Sequence, residues 1–218
     1  MKDIAIFGAG GFGREVLGLI NDINNIKKIW NIIGFFDDGI ERGKIINGYE
    51  VLGGLNELEL WKKQINIAIS IGNPIVKKKI VETIQNKNVI YPTLIHPNVV
   101  IGDNNFVEIG RGCIICSSNI ITTNIKIKDF VILNLACTIG HDTIINDYAA
   151  FMPSVNISGE VDIGRCVYCG TNATIINQIK IGENTIIGAG AVVTKDLPSD
   201  CTAVGMPARP IKFHKNNI

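Results

Sequence analysis

Aliphatic or near-aliphatic residues recur at every sixth position from Ile109 to Val193. The series runs through Ile115, Ile121, Ile127, Leu133, Ile139, Ile145, Phe151, Ile157, Ile163, Cys169, Ile175, Ile181 and Ile187. Two residues before each stands a mostly small or β-branched residue, such as Cys113, Thr143, Ala149, Val155 and Ala173. A glycine follows the key residue at 110, 140, 164, 170, 182 and 188. A six-residue period matches neither the period of about 3.6 of a helix nor the period of about 2 of a long strand. It predicts a prism whose sides are short strands and whose corners are turns, with three sides making an eighteen-residue coil. The fifteen hexads of the unbroken series then make five coils.

Residues 1–92 follow another pattern. Ile4–Phe7 reads as a strand, residues 8–13 as a glycine-rich turn and Arg14–Asn24 as a helix. A second strand over Ile32–Phe36 ends in Asp37-Asp38, and Asn47-Gly48 marks a turn before a short strand at Val51. Leu55–Lys63 reads as a helix, Ile65–Ile71 as a buried strand, Pro74–Asn86 as a helix opened by proline, and Val89–Ile95 as a last strand. Strands alternating with helices imply a small parallel sheet. The expected division is a Rossmann-like domain over 1–92 and a prism with a short tail over 93–218. Ile101 precedes Ile109 by eight residues, so the first coil is two residues longer than the rest.

The composition fits this reading: 46% of residues are hydrophobic but only 6% aromatic, so Ile and Val build the core. A net charge of +1 argues against a nucleic-acid partner. No apolar run approaches the roughly 20 residues of a membrane span. The opening Met-Lys-Asp-Ile-Ala-Ile-Phe-Gly reads as a strand rather than a leader, so a cytoplasmic location is expected.

Six cysteines include two C-x-x-C pairs, Cys113/Cys116 and Cys166/Cys169, which invite a zinc reading. Stacking by eighteens puts Cys113 and Cys169 about three coils apart, roughly 14 Å at the spacing of paired strands. One zinc ion needs all its sulfurs at about 2.3 Å, so the pairs cannot share it. Cys113, Cys137 and Cys169 are expected inside the prism as small hydrophobes, and no metal is expected.

Several motifs together carry a resemblance. They are Gly8-Ala9-Gly10-Gly11-Phe12-Gly13, Asp37-Asp38, Ile71-Gly72-Asn73, Ile95-His96-Pro97, Ile139-Gly140-His141-Asp142, and the ending Val193-Thr194-Lys195-Asp196 with Gly205-Met206-Pro207-Ala208. In these the chain resembles, over its whole length, the hexapeptide-repeat bacterial sugar acetyltransferases. Within them it is most similar to the sialic acid O-acetyltransferases and the nucleotide-amino-sugar N-acetyltransferases. The resemblance implies an α/β N-terminal Rossmann-like domain followed by a left-handed parallel β-helix. It also implies a homotrimer with active sites between subunits and acetyl-CoA as cosubstrate.

By this resemblance His141 is the general base and Asp142 the group that orients it, a task suited to an imidazole that titrates near neutrality. Gly159 stacks on His141 one coil higher, and the resemblance places the coenzyme thioester beside it. The coenzyme would continue to Gly188 and Ala189, with Lys195 and Arg209 near its phosphates. Ala150 stands where some relatives carry a second histidine near the coenzyme sulfur. Asn134 matches a residue that relatives use on the acceptor sugar. Gly8, Gly10, Gly11, Phe12, Asp37, Asp38, Gly72 and Asn73 would bind the nucleotide of that acceptor. His96 at the joint reads as structural.

The glycine loop by itself also reads as a dinucleotide site, since Asp37 and Asp38 follow at the right distance. A domain of about 90 residues is short for the double-wound sheet such a site needs, and a prism is no dehydrogenase substrate domain. The favoured function is acetyl-CoA-dependent N-acetylation of a nucleotide-linked 4-amino-deoxy sugar. O-acetylation of sialic acid or another sugar hydroxyl needs the same base. A sugar-nucleotide-binding or structural prism without activity would leave His141-Asp142 unexplained. A prism-type carbonic anhydrase needs three histidines around a metal, and this repeat holds one.

Overall fold

A computed structural model describes residues 1–214. β1 (Lys2–Phe7) leads through the glycine loop into α1 (Gly11–Ile26) and β2 (Trp30–Phe36). β3 (Ile45–Ile46) and β4 (Tyr49–Gly53) form a hairpin whose turn, Asn47-Gly48, has positive φ at both residues, as a two-residue hairpin of this hand requires. α2 (Leu55–Glu59), β5 (Ile65–Ile69), α3 (Pro74–Thr83) and β6 (Val89–Ile90) complete the unit. The sheet order is β3-β4-β2-β1-β5-β6, parallel except for the hairpin.

α1 opens at Gly11 rather than Arg14, β5 ends at Ile69 rather than Ile71, α3 ends at Thr83 rather than Asn86, and two further differences from expectation have a local cause. α2 ends at Glu59 rather than Lys63 because Trp61 turns back to meet Phe36 edge-on, with ring centroids 5.8 Å apart. The strand expected over Val89–Ile95 is two strands. Pro92 offers no N–H and restricts Tyr91 before it, so Val89–Ile90 joins the α/β sheet and Leu94–Ile95 opens the prism.

The prism is a left-handed parallel β-helix with three faces. The first face stacks Leu94–Ile95, Ile114–Ile115, Ile132–Leu133, Ala150–Phe151, Tyr168–Cys169, Ile186–Ile187 and Cys201–Gly205, and Ala208–Phe213 closes it antiparallel. The second runs from Val100–Ile101 through Thr138–Ile139 to Val192–Val193, and the third from Val107–Ile109 through Ile144–Ile145 to Lys180–Ile181. Register is fixed by identical stacking: Ile121 pairs with Ile139, Ile139 with Ile157, Ile157 with Ile175 and Ile175 with Val193. The first coil is two residues longer, since Ile101 pairs with Ile121.

The key residues and the small residues before them fill one continuous core. Cys113, Cys137 and Cys169 lie in it as small buried thiols, and Cys169 is three pairings up the first face from Ile115. Buried polar members of the small-residue column bind corner carbonyls. Asn119 donates to the carbonyls of Cys116 and Asn134 at 2.7 and 2.8 Å, and Thr185 donates to that of Pro198 at 2.6 Å.

Each corner turns on a residue in the left-handed region, again every sixth position, from Gly112 to Gly190. Most are not glycine: Phe130, Tyr148 and Cys166 hold φ of 57°, 64° and 55°. Such a conformation costs about 1–2 kcal/mol for an ordinary residue, so stacking and backbone hydrogen bonds must offset it at nearly every corner. Phe130 and Tyr148 stack on each other at 5.3 Å, and Tyr91 caps them edge-on.

The α/β unit covers the first face. Outward residues Leu94, Ile114, Ile132 and Ala150 share a buried cluster with Val16, Leu17 and Ile20 of α1. α3 packs beside them, burying Lys77 to 1% exposure with its Nζ 3.5 Å from the Ala149 carbonyl. No helix among the described residues is long and apolar enough to cross a membrane.

Candidate active site

His141 and Asp142 form the corner between the second and third faces. Successive side chains on a strand point to opposite sides. Here Asp142 adopts φ +57°, which bends the chain enough for the two neighbours to meet. His141 Nδ1 lies 2.7 Å from Asp142 Oδ2, and the side chains are 57% and 48% exposed. A carboxylate only accepts, so Nδ1 carries a proton, and in the neutral imidazole Nε2, which faces Gly159, keeps its lone pair. The Asp142 carboxyl is held below its ordinary range, first by the His141 hydrogen bond and then by one from Asn124 Nδ2 at 3.1 Å.

Gly159 stacks directly on this pair. A methyl group placed on it would sit 2.5 Å from both Cε1 and Nε2 of His141. The space beside Gly159 is therefore filled by the imidazole itself. The sequence suggested room for a ligand there; the structure shows room for the base. Gly140 meets the same corner from below, where an added Cβ would fall 2.5 Å from the Ser158 carbonyl carbon.

The residues expected to hold the coenzyme divide between two edges. Lys195 stands on the His141 edge, three coils higher and exposed. Gly188 and Ala189 lie on the edge between the first and second faces, with Asn134 three coils below them. Within one chain the second face separates these groups from His141. Asn134 is nearly buried, with its Oδ1 accepting from the Leu135 amide at 2.7 Å. Ala150 is fully buried beneath the α/β unit, away from the His141 corner. Arg209 lies in the closing strand and donates to its neighbour's carbonyl, that of Ala208, at 3.0 Å.

The nucleotide-side residues do converge. The loop after β1 and Gly72-Asn73 after β5 flank the point where strand order reverses, the usual crevice for a ligand in such sheets. Gly8 has φ +103°, and Gly13 has no room for a Cβ because the Gly8 carbonyl occupies it. Nothing lies within 4 Å of a Cβ added at Gly10, Gly11 or Gly72, so that side of the crevice is open. Phe12 is half-buried against the cluster that joins α1 to the prism.

Three polar residues of this set already serve the fold. Asp37 Oδ2 accepts from the Ala9 amide and Oδ1 from the Gly39 amide, both at 2.8 Å. Asp38 Oδ1 accepts from Leu55 N at 2.7 Å, at the start of α2. Asn73 caps α3 through Ile75 N and Val76 N at 3.0 and 3.1 Å.

Sequence reasoning passed over Asn124, which stacks below Asp142; the eighteen-residue spacing between the two was the available signal. His96 joins the two units: its Nδ1 accepts from Asn98 N at 3.1 Å and its Nε2 faces Asp22 Oδ2 at 3.2 Å.

A family profile described as the PglD N-terminal domain matches residues 3–84. The GDP-perosamine N-acetyltransferase of Escherichia coli O157:H7 is 36% identical over the full length of both chains. The acetyltransferase domain of PglB from Neisseria gonorrhoeae FA1090, solved in complex with acetyl coenzyme A, is 30% identical. It covers 96% of this chain and 99% of its own, with a TM-score of 0.86. WeeI from Acinetobacter baumannii AYE is 34% identical, covers 97% and 100%, and also has a TM-score of 0.86. With the repeat, the α/β unit and the histidine corner in place, these likenesses settle the assignment: the chain belongs to the hexapeptide-repeat, left-handed β-helix family of bacterial sugar acetyltransferases.

Proposed function

We propose that the protein moves an acetyl group from acetyl-CoA to the amine of a nucleotide-linked 4-amino-deoxy sugar, with His141 as general base. The observation that carries this is the His141 Nδ1–Asp142 contact of 2.7 Å, which leaves Nε2, beside Gly159, as the acceptor of the neutral imidazole. The likeness to a GDP-perosamine N-acetyltransferase supports the acceptor class, and the acetyl-CoA complex of the PglB domain supports the donor.

Acetyl-CoA supplies an electrophilic thioester carbon. His141 Nε2 takes a proton from the acceptor nitrogen as that nitrogen bonds to the carbon. Asp142 favours the imidazolium so formed. When the carbon–sulfur bond breaks, His141 returns the proton to the departing sulfur, giving the amide and the free thiol. A base of this kind contributes about 10²–10⁴-fold.

The α/β unit holds the nucleotide in this reading, with residues 1–92 binding the acceptor and 93–218 carrying the transfer. The free amides of the glycine loop at the start of α1 suit phosphates, and Asp37 holds that loop in shape. Because Asn134, Gly188 and Ala189 lie one edge away from His141, a homotrimer whose neighbouring prisms face each other edge to edge would complete the site. Both substrates are charged nucleotide conjugates that do not cross membranes unaided, so the reaction runs in the cytoplasm.

The test is thiol release over a panel of UDP-, GDP- and dTDP-linked amino sugars plus sialic acid. Release with one amino-sugar class, lost in His141→Ala while the oligomer persists, is expected. Release with sialic acid alone would replace N-acetylation by O-acetylation, and a His141→Ala variant near wild-type turnover would remove the base assignment.

A further inference from the structure

We infer that Asn124 is a positioning residue for the reaction, acting through Asp142 on His141; this rests on the reading of His141 as base. Asn124 and Asp142 occupy the same corner slot in consecutive coils, both in the left-handed region, at φ 55° and 57°. Identical backbone conformations one coil apart send the two side chains out in parallel, separated by about the 4.8 Å of paired strands. Asn124 Nδ2 donates to Asp142 Oδ1 at 3.1 Å, while Asp142 Oδ2 receives His141 Nδ1–H at 2.7 Å. The carboxylate accepts only, so the amide end that faces it is the NH₂.

The two donors together fix the carboxylate plane. With the His141 contact alone, the carboxylate can rotate about its terminal torsion, which is broad for aspartate, and either oxygen can face the imidazole. With Asn124 in place, Oδ1 is occupied and Oδ2 is aimed at Nδ1. Asparagine suits the slot because it tolerates the left-handed region and still brings a donor. The same slot repeats the pairing two coils higher, where Gln178 Nε2 donates to Glu160 Oε2 at 3.1 Å. The geometry of the slot thus favours a bond from amide to acid between neighbouring coils. The charged groups around the pair on this edge are Asp103 on the coil below and Glu160, Lys195 and Asp196 on the coils above, with Glu160 bonded by Gln178.

The test uses the full chain. Asn124→Gly removes the amide where glycine is at ease with the backbone. Asn124→Asp keeps size and backbone tolerance but sets an acceptor against an acceptor. Turnover is measured on the pH-independent plateau with both Michaelis constants, alone and in an Asp142→Ala background. The expected result is a fall in kcat of about five- to tenfold for Asn124→Gly, the weight of one exposed hydrogen bond to a charged group. Both Michaelis constants should stay within about twofold. Asn124→Asp should fall further, and both losses should vanish once Asp142 is alanine, because the path from Asn124 to the base is then already cut. A structural role predicts the opposite order, with the isosteric aspartate near wild type. That order, or losses undiminished without Asp142, would overturn the inference. His141→Ala with near wild-type kcat would instead overturn the base assignment, and it is read in a separate variant.

Discussion

Substituting alanine for Gly159 tests the packing of the base most directly. The φ of Gly159 lies outside the left-handed region, so alanine strains no backbone there and the added methyl is the whole perturbation. That methyl would sit 2.5 Å from Cε1 and Nε2 of His141 and 2.9 Å from Cδ2. Carbon contacts relax at about 3.5–4.0 Å, so the ring must retreat by about 1 Å or more. The His141 side chain is 57% exposed and can swing toward solvent, so the stability cost should stay within about 1 kcal/mol. The chemistry is less forgiving, because a displacement of about 1 Å in a reacting group costs on the order of 100-fold in rate. Gly159→Ala should therefore lower kcat in the thiol-release assay about 100-fold while the melting temperature moves by only a few degrees. The peptide N–H survives in alanine, so a loss of this size reports on the imidazole rather than on a missing backbone donor. If Gly159→Ala keeps more than about a third of wild-type kcat while His141→Ala is inactive, the glycine does not set the position of the base.

Three further outcomes are expected. Asp142→Asn keeps a residue at ease with φ +57° but cannot favour an imidazolium, so kcat should drop about tenfold or more with the fold intact; unchanged turnover would remove Asp142 from the mechanism. Asp37→Ala unties Ala9 from the end of β2 and should raise the acceptor's KM about tenfold while that of acetyl-CoA stays put; the reverse pattern would move the nucleotide site elsewhere. Burial lowers the Lys77 amine from 10.5 to about 7 against the opposing pull of the Cys113 and Cys166 thiols. Between those values the unfolded chain binds the extra proton, so stability should rise with pH from about 7 to 10.5 and be insensitive to this group below 7. Lys77→Met should flatten that slope and stabilise the protein at neutral pH by about 1–3 kcal/mol, as read by denaturant unfolding; a less stable variant at pH 7.5 would refute the account.

Periodic features were legible in the residues, and features that depend on one conformational detail were not. The hexad fixed the prism, its inward slots and the stacking of Gly159 on His141, because each depends only on residue spacing. It did not show that the recurrent left-handed residue sits third after the key position and is usually not glycine. Nor did it show that glycine at 140 answers to the backbone of the next coil. Asp37 and Asp38 looked like ligand-binding acids, yet their oxygens already accept backbone amides, a competition that no sequence spacing reveals.

The sequence by itself determined that residues from Ile109 to Val193 coil by eighteens, that the first ninety alternate strand and helix, and that one histidine rides the repeat. Tertiary structure decided the rest. It put the α/β unit over the first face, which seals Ala150 and Lys77. It set Gly188, Ala189 and Asn134 one edge away from His141. It turned Asp142 back onto His141 and laid Asn124 beneath it. The physical reason is that a period specifies which residues stack, whereas the dihedral at a corner and the partner on a face specify where their side chains point.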